Sequence, residues 1–523
     1  GKGKICFVIP YGTLFNHGNT AVSFQRDLFA KHSVDRVLNL ADYASFLFAE
    51  AKHPALVISY RRTPPEDANR YIEYWVPKAD WLVTRAALIS IAPEDRSSLR
   101  LGDVMDDLRS EDAPQIWKRW YWATARDRRL LERLSLYSRL RDRVRQIRDR
   151  APGKPWLIAE GWQPLGKRDD LGKTKQLCLP SKRFIDAESS SIDLFLLPED
   201  CRDLDSQEIL VRRSSDPLIF RAPHVLVSKG FSSIAFCDFD VSFRHALRGI
   251  TGPPEDKALL MFLTAYLRSP IARYFLFHTS SNWGVSRQEV HVKELLRLPL
   301  PLPQETSDPE FSQSIVDKAA NIIDEATSQA RNFFGDRKGI VAEASKAIDD
   351  LLYEYFDVQP NERTLIEDTL RVFIPSIKPS RNRRSIPTIE PSKKSERAAY
   401  ISRLCSTLNA WSLGSSYEVR GEAFVSSRLG IGIVVLQKTS KESPVPENRA
   451  DFDDVLVSLK RINEAVSRKV GVFELIRGAT VFDEDHCYIV KRLARRYWTE
   501  TAALNDADEI AGSILMYSGV ATA

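Results

Sequence analysis

The residues best suited to chemistry lie in one polar stretch, His278-Thr279-Ser280-Ser281-Asn282-Trp283-Gly284-Val285-Ser286-Arg287, and at Lys229, which ends an apolar run beginning at His224. Asn282 and Arg287 carry planar multi-donor groups that can bond base edges bidentately, whereas Lys229 and Ser286 suit phosphate oxygens. Trp283 offers a flat face that can stack or wedge, although an indole beside Gly284 more often packs a loop. A second reservoir of charge runs from Trp117 to Arg150, with twelve Lys and Arg against four Asp and Glu. Its apolar residues Leu130, Leu134, Tyr137, Leu140, Val144 and Ile147 recur by three and four, which predicts a long amphipathic basic helix. Arg141 and Arg145 on that helix could lie along phosphates, or the face could be solvated and stitched by ion pairs. Lys167, Arg168 and Lys173 mark an exposed basic loop that either touches a nucleic-acid backbone or is a plain surface hairpin.

Other chemistries find little to work with. The six Cys form no CxxC pair and no Cys/His cluster, so neither a metal site nor a disulfide framework is expected, and a reducing cytoplasm fits. Asp200, Asp203, Asp205 and Glu208 are spaced too irregularly for a metal loop, and no HExxH or Ser-His-Asp pattern occurs. No apolar run reaches the length of a membrane span, and the N-terminus does not read as a signal peptide. The formal net charge is only +5, unevenly spread over 523 residues.

The elements that must position these residues form a multidomain α/β and α+β chain. In residues 1–80, Lys4–Ile9, Val34–Leu40, Ala55–Tyr60 and Tyr71–Val76 read as strands and Asn19–His32 as a helix, a piece of an α/β sheet. Residues 81–150 read as a connector that holds the basic helix. Residues 151–305 hold the polar stretch, flanked by strands His224–Ser228, Ile234–Phe239 and Val241–Phe243 and by a helix through Leu259–Leu267 that stops at Ser269-Pro270. Residues 306–373 show two apolar stripes that predict a helical hairpin, either a spacer or subunit contact or a packing appendage. Residues 374–396 are Pro/Ser/basic and read as a mobile linker. Residues 397–523 read as a separate α+β domain of unassigned role, with helices at Ala398–Asn409, Phe452–Arg468 and Thr499–Ile514.

Residues 221–303 resemble the target-recognition domain of gamma-class adenine-N6 DNA methyltransferases, the family of Type IIG and related restriction–modification enzymes. Pro223-His224-Val225-Leu226-Val227 with Gly230 matches the family's "PHLVV…G" strand, Leu267-Arg268-Ser269 its "LNS" helix end, and Leu295-Leu296-Arg297-Leu298-Pro299 its "LxxLP" exit, in the same order around a polar loop. Trp156–Trp162 resembles the strand that opens that domain. Residues 1–62 resemble the final third of the methyltransferase fold, a partial Rossmann-like sheet running from the strand after the catalytic motif to the terminal hairpin.

The resemblance implies that Phe48 stacks on an adenine flipped out of the duplex, where the residues alone suggest a core position beside Phe46 and Leu47. In the family, an F-x-G-x-G loop binding S-adenosylmethionine and an N-P-P-[YF] motif lie upstream of this point. Pro64-Pro65 follows Thr63 and precedes Glu66, and Leu429-Gly430-Ile431-Gly432 has no strand–loop–helix context, so neither motif is found here. The resemblance therefore implies the recognition half of an adenine-N6 DNA methyltransferase of a restriction–modification or phage-defence system, with no catalytic residue of its own. Its partners would be double-stranded DNA, a polypeptide or missing N-terminal part bearing the cofactor and N-P-P-[YF] motifs, and other defence-complex subunits. Two alternatives stay open: a non-catalytic DNA-binding or scaffold subunit of a bacterial defence complex, and a protein-interaction module.

Overall fold

The apolar run Ile5–Ile9 lies in strand β1 (Lys4–Pro10), and Asn19–Lys31 forms helix α1, which buries Val22, Gln25 and Phe29. These elements come from a computed structural model that describes residues 3–47, 53–80, 89–146, 153–166, 174–332, 335–377, 386–427, 430–441, 457, 460, 479–483 and 486–520. Their contacts define two compact units, residues 1–128 with 364–523 and residues 129–363. Residues 397–523, read from sequence as a separate domain, thus lie in the first unit.

In the first unit β2 (Ser33–Asn39), β3 (Ala55–Arg61), β4 (Tyr71–Trp75) and β5 (Arg96–Arg100) complete a five-stranded sheet of order β1-β3-β2-β4-β5. Strand β3 runs antiparallel to both β1 and β2, so β1 and β2 are parallel and α1 is their crossover. Among the described residues β1 pairs on one side only, leaving its other backbone edge open. Phe7 is 54% exposed and Val8 67%, and Phe24 on α1 is 52% exposed. Neighbouring strand residues point to opposite faces, so apolar surface is partly exposed on both sides of this edge, where Phe7 also lies against the Tyr60 ring. Runs of that kind belong to strands covered on both faces. Helix α2 (Leu101–Arg109) packs on α1.

The expected long basic helix is not continuous. It is α3 (Ile116–Trp122), α4 (Ala125–Leu134), α5 (Leu140–Arg143) and a strand, β6 (Val144–Gln146). The breaks are capping events. The Asp127 carboxylate accepts from the Thr124 backbone N–H at 2.8 Å and its hydroxyl at 2.6 Å, and that of Asp142 accepts from the Arg139 N–H at 2.8 Å. Apolar spacing passes through such caps unaltered, which is why periodicity alone reads one helix.

In the second unit β6 is the edge of a six-stranded sheet of order β10-β14-β13-β16-β7-β6, with β7 Trp156–Glu160, β10 Asp193–Phe195, β13 His224–Ser228, β14 Ile234–Cys237 and β16 Leu247–Thr251. Smaller sheets join β8 (Lys175–Cys178) to β12 (Glu208–Val211), and β9 (Arg183–Ile185) to β11 (Arg202–Asp203) and β15 (Ser242–Phe243). Gly161 lets the chain pass closely here, since a Cβ at that position would sit 2.2 Å from the Phe243 carbonyl oxygen. Helix α6 (Lys257–Arg268) buries Leu260–Leu267 and ends where Ser269, whose hydroxyl accepts from the Ala272 N–H, caps α7 (Pro270–Thr279). The paired stripes become α8 (Pro309–Ala330) and α9 (Arg337–Tyr355), packed against each other, followed by α10 (Pro360–Asp368).

In the remainder of the first unit, α11 (Lys394–Trp411) and α12 (Glu500–Val520) pack on a four-stranded antiparallel sheet β17-β18-β20-β19. Its strands are β17 Tyr417–Ser426, β18 Ile431–Ser440, β19 Ala479–Asp483 and β20 His486–Arg492. The linker expectation fails for residues 386–392. The Thr388 and Glu390 carbonyls accept from the Arg496 and Arg495 N–H groups, and Ser392 donates to the Leu493 carbonyl, so this stretch is bonded in place. Phe452–Arg468, expected as a helix, lies outside the described residues apart from Val457 and Lys460.

Candidate functional site

The polar stretch leaves the C-terminus of α7 and returns beside the end of β13, where the Val290 N–H donates to the Lys229 carbonyl at 3.0 Å. One buried carboxylate closes it. Glu294 accepts from the Ser281 N–H at 2.6 Å and from the His291 N–H at 2.7 Å, fastening both ends of the loop. From below, the guanidinium of buried Arg248 on β16 donates to the Val290 carbonyl at 2.7 Å. Burial lowers the Arg248 pKa, against the opposing charges of Glu160, Glu289 and Glu294. Polar though it is, most of this stretch is packed into the unit. Asn282, Trp283 and Ser286 are all buried, Trp283 only 1% exposed with its ring 5.9 Å from that of Phe231. The Asn282 amide approaches His291 Nε2 at 3.0 Å and Glu289 at 3.5 Å. Trp283 is thus packed within the loop.

Arg287 is the exposed member, with a side chain 60% accessible and its Nε 2.6 Å from Glu289. Lys229 is half-buried and pairs with Glu160 at 2.8 Å, while Arg213, which sequence reasoning passed over, holds the other Glu160 oxygen at 2.7 Å. Burial would push the Glu160 carboxyl up, but hydrogen bonds from Lys229 and Arg213 outweigh it and hold the group below its ordinary value. Two cations are therefore preset around one carboxylate at the end of β7. Both pairs are partly shielded from solvent, with the Glu160 side chain 26% and the Lys229 side chain 30% accessible. Glu160 was foreseeable only with the strand register, which sets it opposite Arg248 across β7 and β16.

The connector reaches the same neighbourhood. Leu140 and Arg141 donate their N–H groups to the Leu298 and Leu296 carbonyls, both at 2.9 Å, tying α5 to the Pro-punctuated exit of the loop. Arg141 and Arg145, half-buried, sit on α5 and on edge strand β6. Other charges of the basic run are spent inside the protein. Arg126 pairs bidentately with Asp508 and Arg133 with Glu362, so the excess charge of this stretch is offset by acids far away in sequence. The structure thus gathers Lys229, Asn282, Trp283, Ser286 and Arg287 around one loop, with Arg141 at its exit. Phe48, Lys167, Arg168 and Lys173 lie outside the described residues. Among the described residues no group of three or more His, Cys, Asp and Glu could hold a metal ion, and no helix is long and apolar enough to cross a membrane.

No family model matches the chain, and no curated protein matches its sequence. Among solved structures, the type IIG restriction endonuclease BpuSI matches over 68% of this chain and 47% of its own, with 11% identity and a TM-score of 0.26. The type IIL restriction-modification enzyme MmeI, solved in complex with DNA, matches over 71% of this chain and 49% of its own, with 12% identity and a TM-score of 0.34. The HsdS subunit from Thermoanaerobacter tengcongensis matches over 52% of this chain and 64% of its own, with 14% identity and a TM-score of 0.18. The chain spans about half the length of the first two, and all three overlaps are partial.

Proposed function

We propose that this chain is the DNA-reading and target-base-positioning half of a site-specific adenine-N6 DNA methyltransferase of a restriction–modification or phage-defence system. The N-P-P-[YF] segment and most of the S-adenosylmethionine site belong to a missing N-terminal part or a partner polypeptide. The observation that carries this reading is the open edge of β1. A strand with apolar side chains partly exposed on both faces, and a free backbone edge among the described residues, suits the interior of a larger sheet. The residue-level resemblance in 1–62 and 221–303 says which sheet and which reading head.

The described residues do not fit the cofactor by themselves. Gly432 serves close packing in β18, where a Cβ would lie 2.5 Å from the Trp498 ring, and no glycine-rich loop follows a strand in a binding context. The methyl-transfer chemistry therefore rests with the partner, and this chain's part is to hold the duplex through Lys229, Arg213 and Arg287. A non-catalytic DNA-binding or scaffold subunit is the second reading, and the burial of Asn282 and Ser286, which removes one base-reading and one phosphate-binding group from the surface, favours it. Both readings require duplex DNA binding that falls steeply with salt. Filter binding of labelled duplex at 50 and 200 mM salt tests this: loss of affinity at the higher salt is expected, and absent or salt-independent binding rejects both.

A further inference from the structure

Beyond Lys229 and Arg213, the cationic surface of the second unit continues onto Arg244, at the turn between β15 and β16. The Leu247 N–H donates to the Arg244 carbonyl and the His245 N–H to the Trp162 carbonyl, both at 2.9 Å, which pins the turn against the chain leaving β7. The Lys229 N–H donates to the Ala246 carbonyl at 3.1 Å, so the same turn adjoins the end of β13. His245 lies among these groups. Burial first, then the charges of Lys229, Arg213 and Arg244, hold its imidazole below its ordinary value against the opposing charge of Glu160. Arg213, Lys229 and Arg244 therefore border one stretch of surface.

Arg244 differs from these neighbours in how its guanidinium is held. Its central carbon stands 5.4 Å from the centre of the Trp162 ring and 5.3 Å from that of Phe184, within the range of a cation–π contact. Both rings are buried, so the platform is fixed. Asp186 is 4.0 Å away, beyond hydrogen-bond reach, and is engaged at 3.0 Å by Arg202, which lies over the Phe184 ring at 4.9 Å. Among the described residues the Arg244 guanidinium makes no hydrogen bond, and its side chain is 44% accessible. Arg213 and Lys229, by contrast, are bonded to Glu160, and Arg287 to Glu289. A planar fork of donors, oriented by aromatic faces and left unbonded, suits a planar partner with two acceptors side by side.

We propose that Arg244 is a base-reading residue that takes the O6 and N7 acceptors of one guanine in the major groove of duplex DNA. The inference rests on the duplex binding proposed above and adds the base chemistry to it. In the major groove only guanine presents two adjacent acceptors, whereas Lys229 and Arg213 suit the backbone beside it. Holding the side chain on two rings before DNA arrives lowers the rotamer entropy that an arginine otherwise loses on binding. A carboxylate of a partner protein matches the same fork, but a border of three cations fits a polyanion better than a single carboxylate.

The test is binding-site selection with the full chain, followed by titration of the selected duplex with each guanine replaced in turn by 7-deazaguanine, which lacks the N7 acceptor. The wild type should bind about tenfold more weakly when one particular guanine is replaced. Arg244→Lys, which keeps the charge but not the fork, should be indifferent to that replacement, relax selection at that position and leave the salt dependence unchanged. The same guanine should stay sensitive in Arg287→Lys, which separates the two arginines even where Arg244→Lys lowers the melting temperature. Equal sensitivity in wild type and Arg244→Lys overturns the assignment, as does loss of the sensitivity in Arg287→Lys. A wild type that tolerates 7-deazaguanine everywhere, or selects no guanine, overturns it while leaving duplex binding intact. Absence of duplex binding at low salt rejects the function proposed above together with it.

Discussion

At the scale of single residues, the proposed function gives Lys229 and Arg287 different parts of a nucleic-acid contact. Lys229 stands beside Glu160 and Arg213 at a strand end, a place for a phosphate, whereas exposed Arg287 rests on Glu289 with its guanidinium outward. Lys229→Ala should therefore weaken binding to all duplexes alike and lower the salt slope by about one unit. Arg287→Ala should alter sequence preference, by about 1–3 kcal/mol at one base position. Binding-site selection on the two variants checks the split, and equal losses on every sequence for both refute it. A buried imidazole gives a different prediction. His224 on β13 is fully enclosed, bonds the Ile219 carbonyl at 2.8 Å, and is pushed by burial down to about 4. It is neutral in the fold and protonates near 6.5 once unfolded, so its contribution is complete above pH 6.5 and is lost as pH falls towards 4. The loss is on the order of 3 kcal/mol across that window. Unfolding midpoints of wild type and His224→Gln between pH 7 and pH 4 measure it, and parallel curves would contradict it.

At the scale of elements, the open strand is the most informative. Val8 is mostly exposed and Phe7 only about half covered, so Val8→Ser should change the chain's own stability by no more than about 0.5 kcal/mol and Phe7→Ser, which loses the Tyr60 contact, by about 1 kcal/mol. The same substitutions should weaken association with an N-P-P-[YF]-bearing polypeptide by about tenfold or more, since each then meets the joined sheet as a buried polar group. Calorimetric titration distinguishes the cases, and unchanged affinity would mean that this edge is not a joint. The elements also show how far the sequence could be read. The strands of residues 4–75, the α6 stop at Ser269-Pro270 and the α8–α9 pair follow from local apolar spacing and punctuation, and they form as expected. The basic helix does not form, because Thr124–Asp127 and Arg139–Asp142 caps compete for the backbone without disturbing apolar spacing. The polar stretch is packed because groups outside it, Glu294 on Ser281 and Arg248 on Val290 just beyond it, bond the loop backbone, and local spacing does not reveal them. Glu160, more than fifty residues from either cation it holds, becomes visible only with strand register.

At the scale of the whole molecule, the chain has a loop built around preset cations and a sheet that stops at an apolar edge, and these two features define complementary needs. On the proposed reading the first meets a duplex and the second a partner polypeptide. The most direct measurement is methyl transfer from labelled S-adenosylmethionine to duplex DNA by the chain mixed with the polypeptide that carries the cofactor loop and N-P-P-[YF]. The account predicts N6-methyladenine at a defined sequence in the mixture and none from this chain alone. A mixture that methylates no better than its components would contradict it.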